Sequence, residues 1–171
     1  NTTTALTTRE GDRYDAWVQS LDLRLLDKEN KWSLMLGGGL NRKFNAEPGE
    51  DDEGDTWSVR LARLQGNLTY YVGHYEESEH FDPNDLGFLQ APNEVVTYGG
   101  LAYRIVEPFG RINRMNWSLD LSRSMIETPR LVSAWNLSAA WRFTTRSFDT
   151  WNFDFSWNPT TTQNVFASRV P

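Results

Sequence analysis

From Met115 to Ser122 the chain alternates without a break: Met115, Trp117, Leu119 and Leu121 stand against Asn116, Ser118, Asp120 and Ser122. A period of two puts successive side chains on opposite faces of an extended strand, so one face is apolar and the other polar. A helix cannot sort these residues that way. The pattern recurs where Trp151, Phe153, Phe155 and Trp157 alternate with Asn152, Asp154 and Ser156. It recurs again where Trp135, Leu137, Ala139, Trp141 and Phe143 oppose Asn136, Ser138 and Arg142.

Followed along the chain, the same period predicts about eight strands of roughly ten residues. The first starts at Arg13, with Trp17, Leu21, Leu23 and Leu25 on one face and Ala16, Ser20, Asp22 and Arg24 on the other. The second sets Trp32, Leu34, Leu36 and Leu40 against Ser33, Met35, Gly37, Gly39 and Asn41. Glycines inside a strand mark bending, or crowding of their face by neighbours. Residues 56–65, 68–75, 95–105, 115–124, 131–143 and 151–157 complete the set. Residues 1–12, Thr-rich and without pattern, read as a tail, and the acidic run 46–55 reads as a solvated loop. Residues 76–94 read as a long central connection, because Pro83 removes a backbone donor and Asn84, Asp85 and Gly87 favour turns.

Short turns follow the first, third, fifth and seventh strands, and longer loops follow the second, fourth and sixth. Membrane barrels show that asymmetry, with tight turns at one rim and longer loops at the other. The expected fold is all-β: an antiparallel up-and-down meander filling residues 1–171 as one domain, either a membrane β-barrel or a slice of a larger one.

Composition narrows the function. The net charge of -6 argues against a nucleic-acid partner, and the absence of cysteine excludes disulfides and thiolate metal sites. No apolar run reaches the roughly 18 residues of a membrane helix. The mean hydropathy of -0.61 is no obstacle to a membrane barrel, whose alternating strands are hydrophilic on average. Lysine occurs only at positions 28, 31 and 43, although soluble β-proteins usually place it on solvated faces and edges. The chain opens at Asn1 without an initiator Met or signal peptide, which reads as a mature or excised piece.

The run Phe81-Asp82-Pro83-Asn84-Asp85-Leu86-Gly87-Phe88-Leu89 resembles a large family of uncharacterised bacterial outer-membrane proteins, domain of unknown function 5916. So does Tyr103-Arg104-Ile105-Val106-Glu107-Pro108-Phe109-Gly110. The resemblance covers roughly residues 13–171 and implies a β-barrel region, preceded in family members by a β-sandwich similar to carbohydrate-binding modules. That module is absent here, so any glycan association rests on it and on no residue of this chain. The chain ends in Val170-Pro171, where a barrel's last strand usually ends in an aromatic residue, and so reads as an internal slice.

Several residues invite a chemical reading. His74, His80, Asp82 and Asp85, with Glu76, Glu77 and Glu79 nearby, could gather around a metal. The calcium-loop pattern fails, since Leu86 stands where a ligand belongs and no bidentate Glu follows. Turn-forming Asp82 and Asn84, with Leu86, Phe88 and Leu89 packing the loop down, explain the run without a metal. Asp82 with Asp85, or Asp51 with Asp52, could form a glycosidase acid pair, but closeness in sequence says nothing of spacing across a substrate. No nucleophile-elbow pattern supports a serine triad. The sequons at Asn67, Asn116 and Asn136 lie in or beside strands. Arg60, Arg104, Arg123 and Arg142 fall in strands and, facing a lumen, would pair with Asp22, Asp120 and Asp154.

The functional expectation is therefore a non-enzymatic segment of a bacterial outer-membrane barrel, with a structural, transport or anchoring role. Its partners would be the lipid bilayer and the remaining strands or domains of a longer chain. No catalytic, cofactor or metal residue is assigned. The alternative is a soluble up-and-down barrel with its apolar face turned inward around a small ligand. A carbohydrate-processing enzyme is a weaker one.

Overall fold

The computed structural model describes residues 1–8, 15–47, 50–82 and 92–159, with the side chains of 45–50 left aside. Among these residues it is all-β: β1 (Thr2–Thr7), β2 (Asp15–Leu26), β3 (Trp32–Glu47), β4 (Glu50–Arg63), β5 (Leu68–Glu77), β6 (Glu94–Ile105), β7 (Ile112–Ile126), β8 (Leu131–Thr145) and β9 (Thr150–Trp157). They form one sheet in strict chain order, every neighbouring pair antiparallel. Among the described residues β1 and β9 each have one partner, so the described sheet is open at both edges.

Two expectations change. The expected tail contains β1, which pairs with β2 from Thr2↔Leu21 to Thr7↔Ala16. Threonine is β-branched and fits a pleated surface, but it shows no apolar–polar alternation, so periodicity misses it. The expected acidic loop at 46–55 is mostly strand, for β3 runs to Glu47 and β4 begins at Glu50. Opposite charges across the ladder support it: Arg42 lies 2.8 Å from Asp51 and 3.1 Å from Glu53. Acidic residues occupy a strand here because cationic partners stand opposite them.

One rim carries the links 27–31, 64–67, 106–111 and 146–149. In the first, the Asp27 carboxylate accepts the Trp32 amide at 2.8 Å, and Asn30 takes a left-handed conformation at φ 56°. The opposite rim carries the long connection between β5 and β6, the four-residue link 127–130 and the projecting β3–β4 hairpin. Of the three longer loops expected on this rim only the β5–β6 connection is one: the links 48–49 and 127–130 are no longer than the turns opposite, because β3, β4, β7 and β8 extend into the residues expected to form loops.

The register fixes two faces. One row reads Leu23, Leu36, Val59, His74, Thr97, Arg123, Trp135, from β2 to β8. On this face the large apolar side chains are exposed, among them Leu21, Leu36, Leu61, Val72, Leu121 and Trp141. Trp151, Phe153, Phe155 and Trp157 share it and are 52–57% exposed. The rings of Phe153 and Trp141 stand 5.8 Å apart, while Asn152 and Arg142 bond to one another on the other face. The polar face is the crowded one. Ser33, Asn41 and Ala62 are buried there, with no second sheet above them among the described residues. Glycine is needed where cross-strand side chains converge: a Cβ on Gly73 would meet the Tyr98 ring at 2.4 Å, and one on Gly100 would meet Asp120 at 2.3 Å. The sheet thus curls with its polar face inside.

Candidate functional site: the polar face and its inward connection

The polar face gathers a tyrosine–arginine–carboxylate cluster at its centre. Tyr71 donates its hydroxyl to Asp120 Oδ1 at 2.6 Å. The Arg60 guanidinium sits over the Tyr71 ring, 4.7 Å from its centre, and Tyr98 lies 6.0 Å from Tyr71. Gly73 and Gly100 provide the space these rings occupy. Arg60, Arg104 and Arg142 share this face with Asp22, Asp120 and Asp154, as the sequence predicts. The predicted ion pairing differs, however: Asp120 is held by Tyr71, Arg142 bonds Asn152, and Arg60 stacks. Arg123 is a correction. It lies on the apolar face, in register with Thr97 and Trp135, because it shares the parity of Leu119 and Leu121.

The start of the β5–β6 connection folds onto this face. Asn41 of β3 holds it from both sides, donating to the His80 carbonyl at 3.4 Å and accepting the Asp82 amide at 3.0 Å. Lys43 pairs with Asp82 at 2.6 Å, and His80 with Asp52 at 2.7 Å. Phe81 is buried, its ring reaching toward Gly39, and a Cβ on Gly54 would strike the His80–Phe81 backbone at 2.3 Å. The far end is fixed by Asn93, which is 0% exposed and left-handed at φ 68°. Its amide group bonds the Thr128 carbonyl at 2.8 Å and amide at 2.7 Å, and its backbone N–H reaches Ser78 at 3.3 Å. The rest of the central motif, including Asn84, Asp85, Leu86, Phe88 and Leu89, lies outside the described residues.

The candidate chemistries disperse. His74 is on the apolar face, its Nδ1 2.8 Å from the Thr97 hydroxyl and its Nε2 3.8 Å from Glu76. His80 and Asp82 engage Asp52 and Lys43 instead. Among the described residues no group of three His, Asp or Glu side chains could hold a metal. Asp51 and Asp52 are consecutive in β4 and point to opposite faces, so they cannot flank one bond. Asn116 and Asn136 lie within β7 and β8. One carboxyl is perturbed. Glu77 ends β5 at the rim, beyond the His74 row, and is pushed up to about 7 by burial first and by the Glu94 charge second. Glu94 itself accepts the Tyr75 hydroxyl at 2.7 Å.

Sequence reasoning missed Tyr71, Tyr98 and Asn93. Tyr71 and Tyr98 carry large side chains on the polar parity of their strands, a signal available from the period alone. Asn93, two residues before Val95 and next to Pro92, carried only a generic turn signal.

The arrangement defines the class: an all-β protein made of a single antiparallel meander, with one polar crowded face, one apolar open face and a connection anchored on the polar side. The chain belongs to the family described as "Domain of unknown function (DUF5916)", whose match spans residues 1–171. This is the family its central motif resembles. No curated protein and no solved structure matches it.

Proposed function

We propose that this chain forms part of the wall of an outer-membrane β-barrel, with a non-enzymatic role: its apolar face meets lipid, and its polar face lines an aqueous lumen narrowed by the anchored connection. One observation carries the reading. Relative to the row through Val59 and His74, the aromatics nearer the long-connection rim descend across the sheet from β2 to β9, with Phe44 of β3 the highest at eight residues above it. Trp17 stands six residues above that row, Trp57 two above, Trp135 on it, and Trp157 two below. The lower aromatics slide the same way. Trp32 and Tyr70 lie four residues below the row, Tyr103, Trp117 and Trp141 six, and Trp151 eight. A band that crosses hydrogen-bonded rows diagonally at near-constant height is what tilted strands in a flat slab require. Spacings of about six to ten residues are roughly 20–34 Å along a strand, or roughly 15–26 Å along the normal at about 40° of tilt. With rings extending at both ends, that approaches the ~25 Å apolar band of outer-membrane barrels.

A soluble ligand-binding barrel needs the reverse curl, with its apolar side chains on the crowded face. The open edges add a requirement. Hydrocarbon does not tolerate unpaired strand edges, so β1 and β9 must each pair with further strands. The chain then acts as a slice of a larger barrel.

The test is a cysteine label at position 153 and another at 154, separately, in the protein reconstituted in bilayers. A lipid-phase quencher should reach 153 and not 154. Quenching at 154 alone would reverse the faces. Quenching at neither, in a protein that stays soluble without detergent, would remove the membrane reading.

A further inference from the structure

The apolar face is not uniformly convex. A trough of about 740 Å³ runs down it between β5 and β7, with walls that include Val72, Leu101, Leu119 and Leu121. Its floor is open because Gly99, the outward residue of β6 at that level, has no side chain between Val72 and Leu121. At its upper end stand Arg123 and Trp135, the guanidinium 5.5 Å from the indole centre. Arg123 is thus a cation set among Leu, Val and aromatic side chains, on a face that also carries His74, Glu76, Arg42 and Arg63. Its Nε is buried and has no hydrogen-bond partner among the described residues. The carboxylate near this rim, Glu76, is taken by Arg130 at 2.8 Å and faces His74.

A guanidinium at the edge of a lipid-facing band wants an oxyanion, and the planar fork of arginine fits phosphate well. The diagonal band puts Arg123 level with the upper aromatics, where headgroups lie. From that row down to Leu68 is six residues, or roughly 20 Å along the strand and roughly 15 Å along the normal. That is about the depth of one leaflet of a ~30 Å hydrocarbon core.

From this we infer that the Gly99 trough is a binding site for an anionic lipid, one acyl chain lying along Val72, Gly99 and Leu121 and the phosphate at Arg123. The inference rests on the membrane reading above.

The test is native mass spectrometry of the detergent-purified protein, titrated with dioleoyl phosphatidylglycerol or dioleoyl phosphatidylcholine. The wild type should retain phosphatidylglycerol several-fold better than phosphatidylcholine. Arg123→Gln should abolish that preference. Val72→Trp, which fills the trough from an exposed position, should lower retention of both lipids. Arg104→Gln, on the polar face, should change neither and controls for general loss of charge. Equal retention of the two lipids by the wild type, or an unchanged preference in Arg123→Gln, would overturn the site. If that happens while the label at 153 is still quenched by lipid, the trough proposal alone fails. If the label is unquenched as well, both readings fail together.

Discussion

Phe153 and Asp154 are neighbours in β9, and a period of two puts them on opposite faces. In the bilayer, Phe153→Arg should cost roughly 2–4 kcal/mol near the midplane and less toward an interface. Asp154→Asn should be mild. Urea unfolding of each variant in liposomes measures the difference. On the polar face, Gly73 meets a different limit. A methyl group there would press on the Tyr98 ring at 2.4 Å, so Gly73→Ala should destabilise by roughly 1–3 kcal/mol. The same change in a Tyr98→Ala background should cost less, because the ring it displaces is gone. A double-mutant cycle gives that coupling directly. Which strand residues share a face was legible in the sequence, and Arg123 shows how far that reading extends. Counted by parity it belongs with Leu119 and Leu121, yet its charge drew it into the group expected to line a lumen. Parity is set by the backbone and outranks polarity.

At the scale of single elements, charge and turn chemistry masked two strands and one anchor. β1 was hidden because threonine serves strand and loop alike, and the β3–β4 hairpin because its acids read as solvated. Neither Asn41 nor Asn93 carries a motif, for a residue's role in tying a connection down depends on what arrives opposite it in space. The anchored stretch makes its own prediction. Gly54→Ala would push a methyl group into the His80–Phe81 backbone, so it should release residues 78–82 from the polar face. Limited proteolysis in that stretch should then accelerate, with β-type circular dichroism unchanged. Glu77 makes another. Its ordinary value is 4.5 and its folded value about 7, so the folded state holds the extra proton between those values. Stability should therefore fall as pH rises from about 4.5 to about 7. Glu77→Gln should flatten that slope, with little effect at pH 4 and a gain at pH 8, as read from melting temperatures across the range.

For the whole molecule, the single meander was legible because every strand but β1 and the hairpin tips announces itself by alternation. The diagonal course of the aromatic band was not, since it needs the register of every pair, and register is fixed by pairing partners far apart in the chain. One feature of the topology reaches beyond these residues. Nine strands in strict alternation leave both edges pointing the same way: β1 and β9 each run from the short-turn rim toward the other. Joining them to one another would demand the sheet's first parallel ladder. A closed, wholly antiparallel wall is reached only by inserting an odd number of strands between them. On the proposed barrel reading the complete wall has an even number of staves, and whatever supplies the missing ones would enter on one side of the membrane and leave on the other.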